Sequence, residues 1–167
     1  MSFKNFPMVS NVIFGRGCFS QLNEIITPKR ENELAPFIYL IDDVFENNYN
    51  LLSKISLIYD DYIVFISSNE EPKTTQVDAL VEDIILNTKS IPSGIIGIGG
   101  GTILDLSKAV ALMITNSGSS EDYQGWDLIK NRAVYHIGVP TISGTGSEVS
   151  RTTCLLYTSD AADERRC

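Results

Sequence analysis

Two short stretches and one acidic pair hold the residues whose types and spacing could do chemistry. The first is Gly99-Gly100-Gly101-Thr102, within residues 95–108, IIGIGGGTILDLSK. Three glycines lack Cβ atoms, so a phosphate or pyrophosphate can approach their backbone N–H groups closely. A helix starting there adds the positive end of its dipole. Thr102 can cap that helix through its hydroxyl, and Thr102-x-x-Asp105 has capping-box spacing. The second stretch is residues 141–148, TISGTGSE, a loop of hydroxyls and glycines. Thr141, Ser143 and Thr145 are small donors there, and Thr145-x-x-Glu148 repeats the capping-box spacing. The acidic pair is Asp42-Asp43, where a carboxylate at the end of a strand can accept from ribose hydroxyls. The residues alone leave open which aspartate that is. They also leave open two plainer uses, a glycine turn without a ligand and an Asx turn.

The elements that must position these residues follow from periodicity. Residues 95–98 form a short apolar run that meets the glycines and then changes to helical spacing, with Leu106, Ala109, Val110 and Met113 as its apolar face. Residues 136–139 are a second strand that Pro140 ends, and residues 9–14 (VSNVIF) a further strand before Gly15-Arg16-Gly17. Residues 37–41 (FIYLI) and 62–66 (YIVFI) are continuous apolar runs, the pattern of strands covered on both faces. Phe19, Leu22, Ile25 and Ile26 recur at helical spacing, as do Val77, Leu80, Val81, Ile84 and Ile85, and residues 44–58 are expected to be helical. Alternating strands and helices predict an α/β fold, a parallel sheet flanked by helices. If the strands before the two loops are neighbours, the loops lie side by side beyond the carboxyl ends of the sheet.

Composition bounds the remaining possibilities. With 167 residues and 43% hydrophobic content, the chain can bury one core. A formal charge of −8 argues against nucleic acid as a partner. An anionic ligand must therefore be held locally by backbone donors. No apolar run is long enough to span a membrane and no signal pattern opens the chain, so cytoplasmic residence is the expectation. A metal centre wants three or four His or carboxylate ligands, and the chain has one histidine, His136, placed in a strand where a structural role is expected. Asp105 and Lys108 lie three apart and could form a weak surface pair. Trp126, the single tryptophan, is expected to anchor a loop.

Gly99-Gly100-Gly101-Thr102-x-x-Asp105-x-x-Lys108 together with Pro140-Thr141-x-x-Gly144-Thr145-Gly146-Ser147-Glu148 resembles the iron-containing, or metal-dependent, alcohol dehydrogenase family. Further matches include Phe14-Gly15-Arg16-Gly17, Glu70-Glu71-Pro72, Tyr123 to Lys130 and His136-Ile137-Gly138, and they are most similar to the 3-deoxy-D-manno-octulosonate 8-oxidase branch. The resemblance implies the Rossmann-like, nucleotide-binding half of a dehydroquinate synthase-like two-domain fold. The generic G-x-G-x-x-G fingerprint fails here, since Thr102 stands where its third glycine belongs. The resemblance further implies NAD(P) as cofactor, held by Asp42 or Asp43, Gly99, Gly100, Gly101, Thr102, Lys108, Thr141, Ser143 and Thr145. It implies an iron or zinc ion whose ligands come from a helical second domain, a small sugar acid or alcohol as substrate, and a homodimer. The implied reaction is oxidation of the C8 hydroxyl of 3-deoxy-D-manno-octulosonate. The alternatives are a dehydrogenase of another small alcohol or polyol and a non-catalytic nucleotide-binding module.

Residues 154–164 (CLLYTSDAADE) resemble a translated sequencing adapter, so the native domain is expected to cover residues 1–153 and residues 154–167 to be a non-native tail. On that reading the chain is a fragment, inactive without its metal-binding half.

Overall fold

In a computed structural model, residues 9–125, 127–150 and 152–156 are described. Four strands, β1 (Phe37–Asp42), β2 (Tyr62–Ile66), β3 (Gly94–Gly99) and β4 (Tyr135–Pro140), form one sheet in the order β2-β1-β3-β4. Every pairing is parallel, as the alternation of elements predicts. The chain moves from β1 to β2 on one side and returns to β3 on the other, so the direction of winding reverses between β1 and β3. That is the switch point, the place in such sheets beyond whose strand ends ligands commonly sit.

The central strands β1 and β3 are buried along their whole length, because both faces are covered. Ile38, Leu40 and Ile95 face helices α3 (Thr74–Asn87) and α4 (Gly101–Met113), with Val77, Ile84, Leu106 and Val110 in the same cluster. Phe37, Tyr39, Ile41, Ile96 and Ile98 face the other way, onto Leu22 and Ile26 of α1 (Leu22–Ile26) and onto Ile55. The period of two along each strand sorts these residues between the layers. β2 is less covered than its apolar run predicts, since it lies at the sheet edge with four of its five residues only half-buried.

Two elements differ from the sequence reading. Residues 9–14 form no strand and are exposed, Phe14 98% so. A β-branched and aromatic run makes a strand only where a neighbour offers backbone partners. The helix expected over residues 44–58 reduces to a 3-10 turn, Asp43–Phe45, and the single turn α2 (Tyr49–Leu52). Asn48 caps α2 by accepting from the Leu51 N–H, so the polar interruption sets a late start. Trp126 lies outside the described residues, as do residues 157–167 of the expected tail. Cys154, Leu155 and Leu156 are described: Leu155 packs on the α3/α4 core, and Leu156 bridges to Lys73. Among the described residues no helix is long and apolar enough to cross a membrane.

The amino end of the sheet is closed by a buried ion pair. Arg30 donates from Nη1 and Nη2 to the two Asp61 carboxylate oxygens at 2.9 and 2.7 Å, and Asp61 also accepts the Phe37 N–H at 2.7 Å. The guanidinium lies over the rings of Phe37 and Tyr59. Such a pair costs desolvation that its hydrogen bonds offset, and it fixes geometry more than it adds stability.

At the carboxyl half, α4 presses directly on β3. A Cβ built on Gly97 would collide with Ser107 Oγ, and one on Gly99 would stand 2.6 Å from Ile103 Cγ1. Ser107 Oγ donates to the Leu104 carbonyl at 2.9 Å and meets His136 Nε2 at 2.9 Å. One proton, from the hydroxyl or from Nε2, lies between these two atoms. His136 is thus a neutral strut between β4 and α4, and burial, with the nearby Lys108 charge, pushes its pKa down to about 4.

Gly97→Ala should destabilise the fold by about 1–3 kcal/mol in urea unfolding, because the helix has no room to retreat. The His136 shift carries a pH signature. A folded-state pKa below the unfolded value leaves its stability intact above about pH 6.5 and removes it as pH falls toward 4. Unfolding free energy should drop by about 1.5 kcal/mol from His136 alone between about pH 6.5 and 5, and His136→Gln should flatten that slope. The single imidazole should titrate near pH 4 by NMR.

Candidate functional site

Helix α4 starts immediately beyond β3 at the switch point. Gly100 is its N-cap residue, in extended backbone with φ −80° and ψ −171°, and no side chain caps it. The first intrahelical bond joins Leu104 N–H to the Gly100 carbonyl at 3.0 Å, so the N–H groups ahead of Leu104 have no intrahelical acceptor. The capping box expected from Thr102 and Asp105 is absent. Thr102 already lies inside the first turn, and Asp105 is four residues into the helix, too far along to reach back to its start. The sequence spacing was right for a box, but the helix begins one residue before the threonine. The consequence favours a ligand, since the donors a capping side chain would occupy stay open.

The three glycines divide their work. Gly99 admits Ile103 and belongs to the β3/α4 contact. A Cβ on Gly101 would stand 3.3 Å from Thr145 Cγ2, so this glycine lets the second loop approach. At Gly100 a Cβ would meet only Ile142 Cδ1, at 3.5 Å, leaving an open cradle above the helix start.

The second loop lies beside the first, as strand adjacency requires. Ile98 pairs with Val139 and Gly99 with Pro140, and Thr141 N–H extends the ladder by donating to the Gly99 carbonyl at 2.9 Å. Thr141, Ile142, Ser143, Gly144 and Thr145 are exposed. Gly144 (φ +105°) and Gly146 (φ +69°) adopt backbone that other residues rarely take, which turns the loop back toward α4. Among the described residues no helix follows it. Thr145 Oγ1 accepts from Ser147 N–H at 3.4 Å, and Ser150 N–H bonds the Gly146 carbonyl at 3.1 Å, closing a turn where a capping box was expected. The adjoining concavity, about 1910 Å³, runs along β4 and takes in Thr141, Ile142, Ser143 and Gly144.

Asp42 is the last residue of β1 and only 6% exposed, and the register that sets Ile41 beside Ile98 places it at the same sheet end as Gly99. Its Oδ1 accepts from Val44 N–H at 3.3 Å, the Asx turn that the sequence left open, while Oδ2 makes no bond in that turn. Asp43 begins the 3-10 turn and is half-buried.

Asp105 and Lys108 do pair, but not weakly at the surface. Lys108 Nζ stands 2.9 Å from Asp105 Oδ1, with the two side chains 14% and 10% exposed. Lys108 also donates to Ser150 Oγ at 2.9 Å and to the Thr152 carbonyl, and Asp105 Oδ2 accepts Cys154 N–H at 3.0 Å. Sequence spacing showed the pair and missed its partners, because Ser150, Thr152 and Cys154 lie more than 40 residues away in the chain.

The residues do not assemble a metal centre. Among the described residues no three His, Cys, Asp or Glu side chains cluster closely enough to hold an ion. Among the described residues iron therefore has no fit, and no step below passes through it.

The family model described as iron-containing alcohol dehydrogenase matches residues 9–165. Sulfoacetaldehyde reductase of Bilophila wadsworthia is 41% identical over 66 residues, 40% of this chain and 17% of that protein. NAD-dependent methanol dehydrogenase of Bacillus methanolicus is 32% identical over 102 residues, 61% of this chain and 25% of that protein. Among solved structures, sulfoacetaldehyde reductase from Bifidobacterium kashiwanohense in complex with NAD+ superposes with a TM-score of 0.75 at 26% identity, over 94% of this chain and 40% of that one. The chain thus spans well under half the length of the relatives it matches. With its two glycine-rich loops docked at one switch point and the family model matched across residues 9–165, the chain belongs to the iron-containing alcohol dehydrogenase family.

Proposed function

We propose that this chain is the nucleotide-binding half of an alcohol oxidoreductase and that the crevice at the β1/β3 switch point takes NAD(P). One observation carries the reading: the start of α4 is uncapped, and among the described residues a Cβ at Gly100 would touch Ile142 alone. The pyrophosphate fits over Gly99, Gly100, Gly101 and Thr102, whose N–H groups and helix dipole favour an anion despite the chain's net charge of −8. Asp42 is the better placed of the two aspartates for the adenosine ribose, since it ends β1 beside Gly99. Thr141, Ser143 and Thr145 offer hydroxyls to the nicotinamide side. When bound, the nicotinamide supplies the hydride acceptor for an alcohol substrate. The residues here bind and orient it. The family membership and the NAD+ complex of the Bifidobacterium protein support this reading.

For the substrate, the Tyr123 to Lys130 and His136-Ile137-Gly138 matches favour the C8 hydroxyl of 3-deoxy-D-manno-octulosonate. A second reading, another small alcohol, is favoured by relatives named for methanol and 4-hydroxybutyrate. Turnover of the intact enzyme across a panel of such alcohols and the sugar acid separates the two. We further propose a homodimer for the intact protein, which sedimentation would test.

The phosphate assignment has a direct test. Gly100→Val suits the extended backbone there, and its Cβ meets Ile142 alone among the described residues, so the fold should melt as before. NAD affinity measured by calorimetry should nevertheless fall about tenfold or more, at least about 1.4 kcal/mol. Unchanged affinity in a folded variant would remove the cradle.

A further inference from the structure

One large apolar side chain stands among the hydroxyls and glycines of the second loop. Ile142 is 62% exposed, and its Cδ1 lies 3.5 Å from where a Cβ on Gly100 would sit, at the edge of the open cradle. It also lines the concavity along β4, beside Thr141, Ser143 and Gly144. Among the described residues it belongs to neither apolar layer of the sheet, so the core does not call for it. A single exposed isoleucine is common on a protein surface. This one stands in a recess, where its apolar area is held in water until something covers it. Its branch at Cβ also leaves it few rotamers, so it is a stiff wall.

The strand order decides which part of a dinucleotide reaches it. Asp42 ends β1 on one side of β3, and the second loop follows β4 on the other side. With the pyrophosphate over Gly100 and the adenosine ribose toward Asp42, the remaining half crosses toward β4 and meets Ile142 beyond the phosphates. We propose that Ile142 is an apolar post for the nicotinamide riboside: its side chain covers one face of that group, while Thr141, Ser143 and Thr145 serve its polar edge. This inference rests on the nucleotide reading above and deepens it. Hydroxyls alone bond water as readily as ligand, and the isoleucine shifts that balance, because covering it releases water from both surfaces. The post thereby makes the second loop a site for a flat, partly apolar group and not for a further phosphate.

The test compares two probes on the chain as it stands, NAD and ADP, titrated by calorimetry. ADP reaches the phosphate cradle and the β1 carboxylate but stops short of the second loop. In Ile142→Ala, NAD affinity should fall about tenfold while ADP affinity changes less than about twofold. Ile142→Thr keeps the branched shape and exchanges apolar surface for a hydroxyl, so it should show the same selective loss. Ile142→Leu keeps the apolar area and should bind NAD within about twofold of the wild type. Each variant changes an exposed side chain, so melting should not move. NADH bound to the wild type should also emit at shorter wavelength than free NADH, a shift that Ile142→Thr reduces. Unchanged NAD affinity in Ile142→Ala and Ile142→Thr overturns the proposal. A parallel loss of NAD and ADP overturns it as well, since the side chain would then be shaping the cradle. Wild-type protein that binds ADP and NAD equally overturns it while leaving the cradle in place. Wild-type protein that binds neither removes the nucleotide reading itself.

Discussion

The close approach of α4 to β3 is the constraint on which the rest of this structure depends. Without side chains at positions 97 and 99, the helix settles onto the strand through Ser107 and Ile103, and its axis and starting point are fixed with little tolerance. Interiors packed this tightly transmit position, because a shift of one methylene has nowhere to go. That contact decides where the free amides of the first turn sit, how near Thr145 comes to Gly101, and where the middle of the helix meets the segment after the second loop. The adjoining contact of Ser107 with His136 then ties β4 to the same helix.

Much of the fold was legible in the sequence because its signals were local. Continuous apolar runs marked β1 and β3, a 3.6-residue period marked α3 and α4, and the glycines between β3 and α4 marked the turn. Parallel pairing of β3 with β4, inferred from alternation alone, is what brings the two loops together. The failures are equally physical. Residues 9–14 have strand-forming side chains and no neighbouring strand among the described residues, so local preference found nothing to satisfy it. Residues 44–58 carry helical spacing, but Asn48 offers a cap that restarts the helix late and briefly.

The site was legible in its parts and not in its wiring. Both capping boxes were read from correct spacing, yet a box also needs the helix to begin at its first residue. The chain instead makes Gly100 the N-cap of α4 and lets the second loop close as a turn. A period argument cannot see that difference, which lies in a shift of the cap from Thr102 to Gly100. Likewise the i, i+3 spacing of Asp105 and Lys108 forecasts a pair but says nothing of burial, because the residues that bury it come from the distant end of the chain.

The Arg30–Asp61 pair at the opposite end of the sheet has a consequence for how a charged molecule is recognised. That guanidinium is neutralised by its own carboxylate, and the Lys108 ammonium is likewise engaged by Asp105 and backbone oxygens. An incoming anion thus meets backbone dipoles at the helix start and not a free buried cation, on a molecule whose net charge repels it. Dipole fields fade over a few ångströms, whereas screening by salt acts on longer-range attraction. Recognition should therefore be a matter of contact geometry, slow to attract from afar and largely indifferent to ionic strength once contact is made.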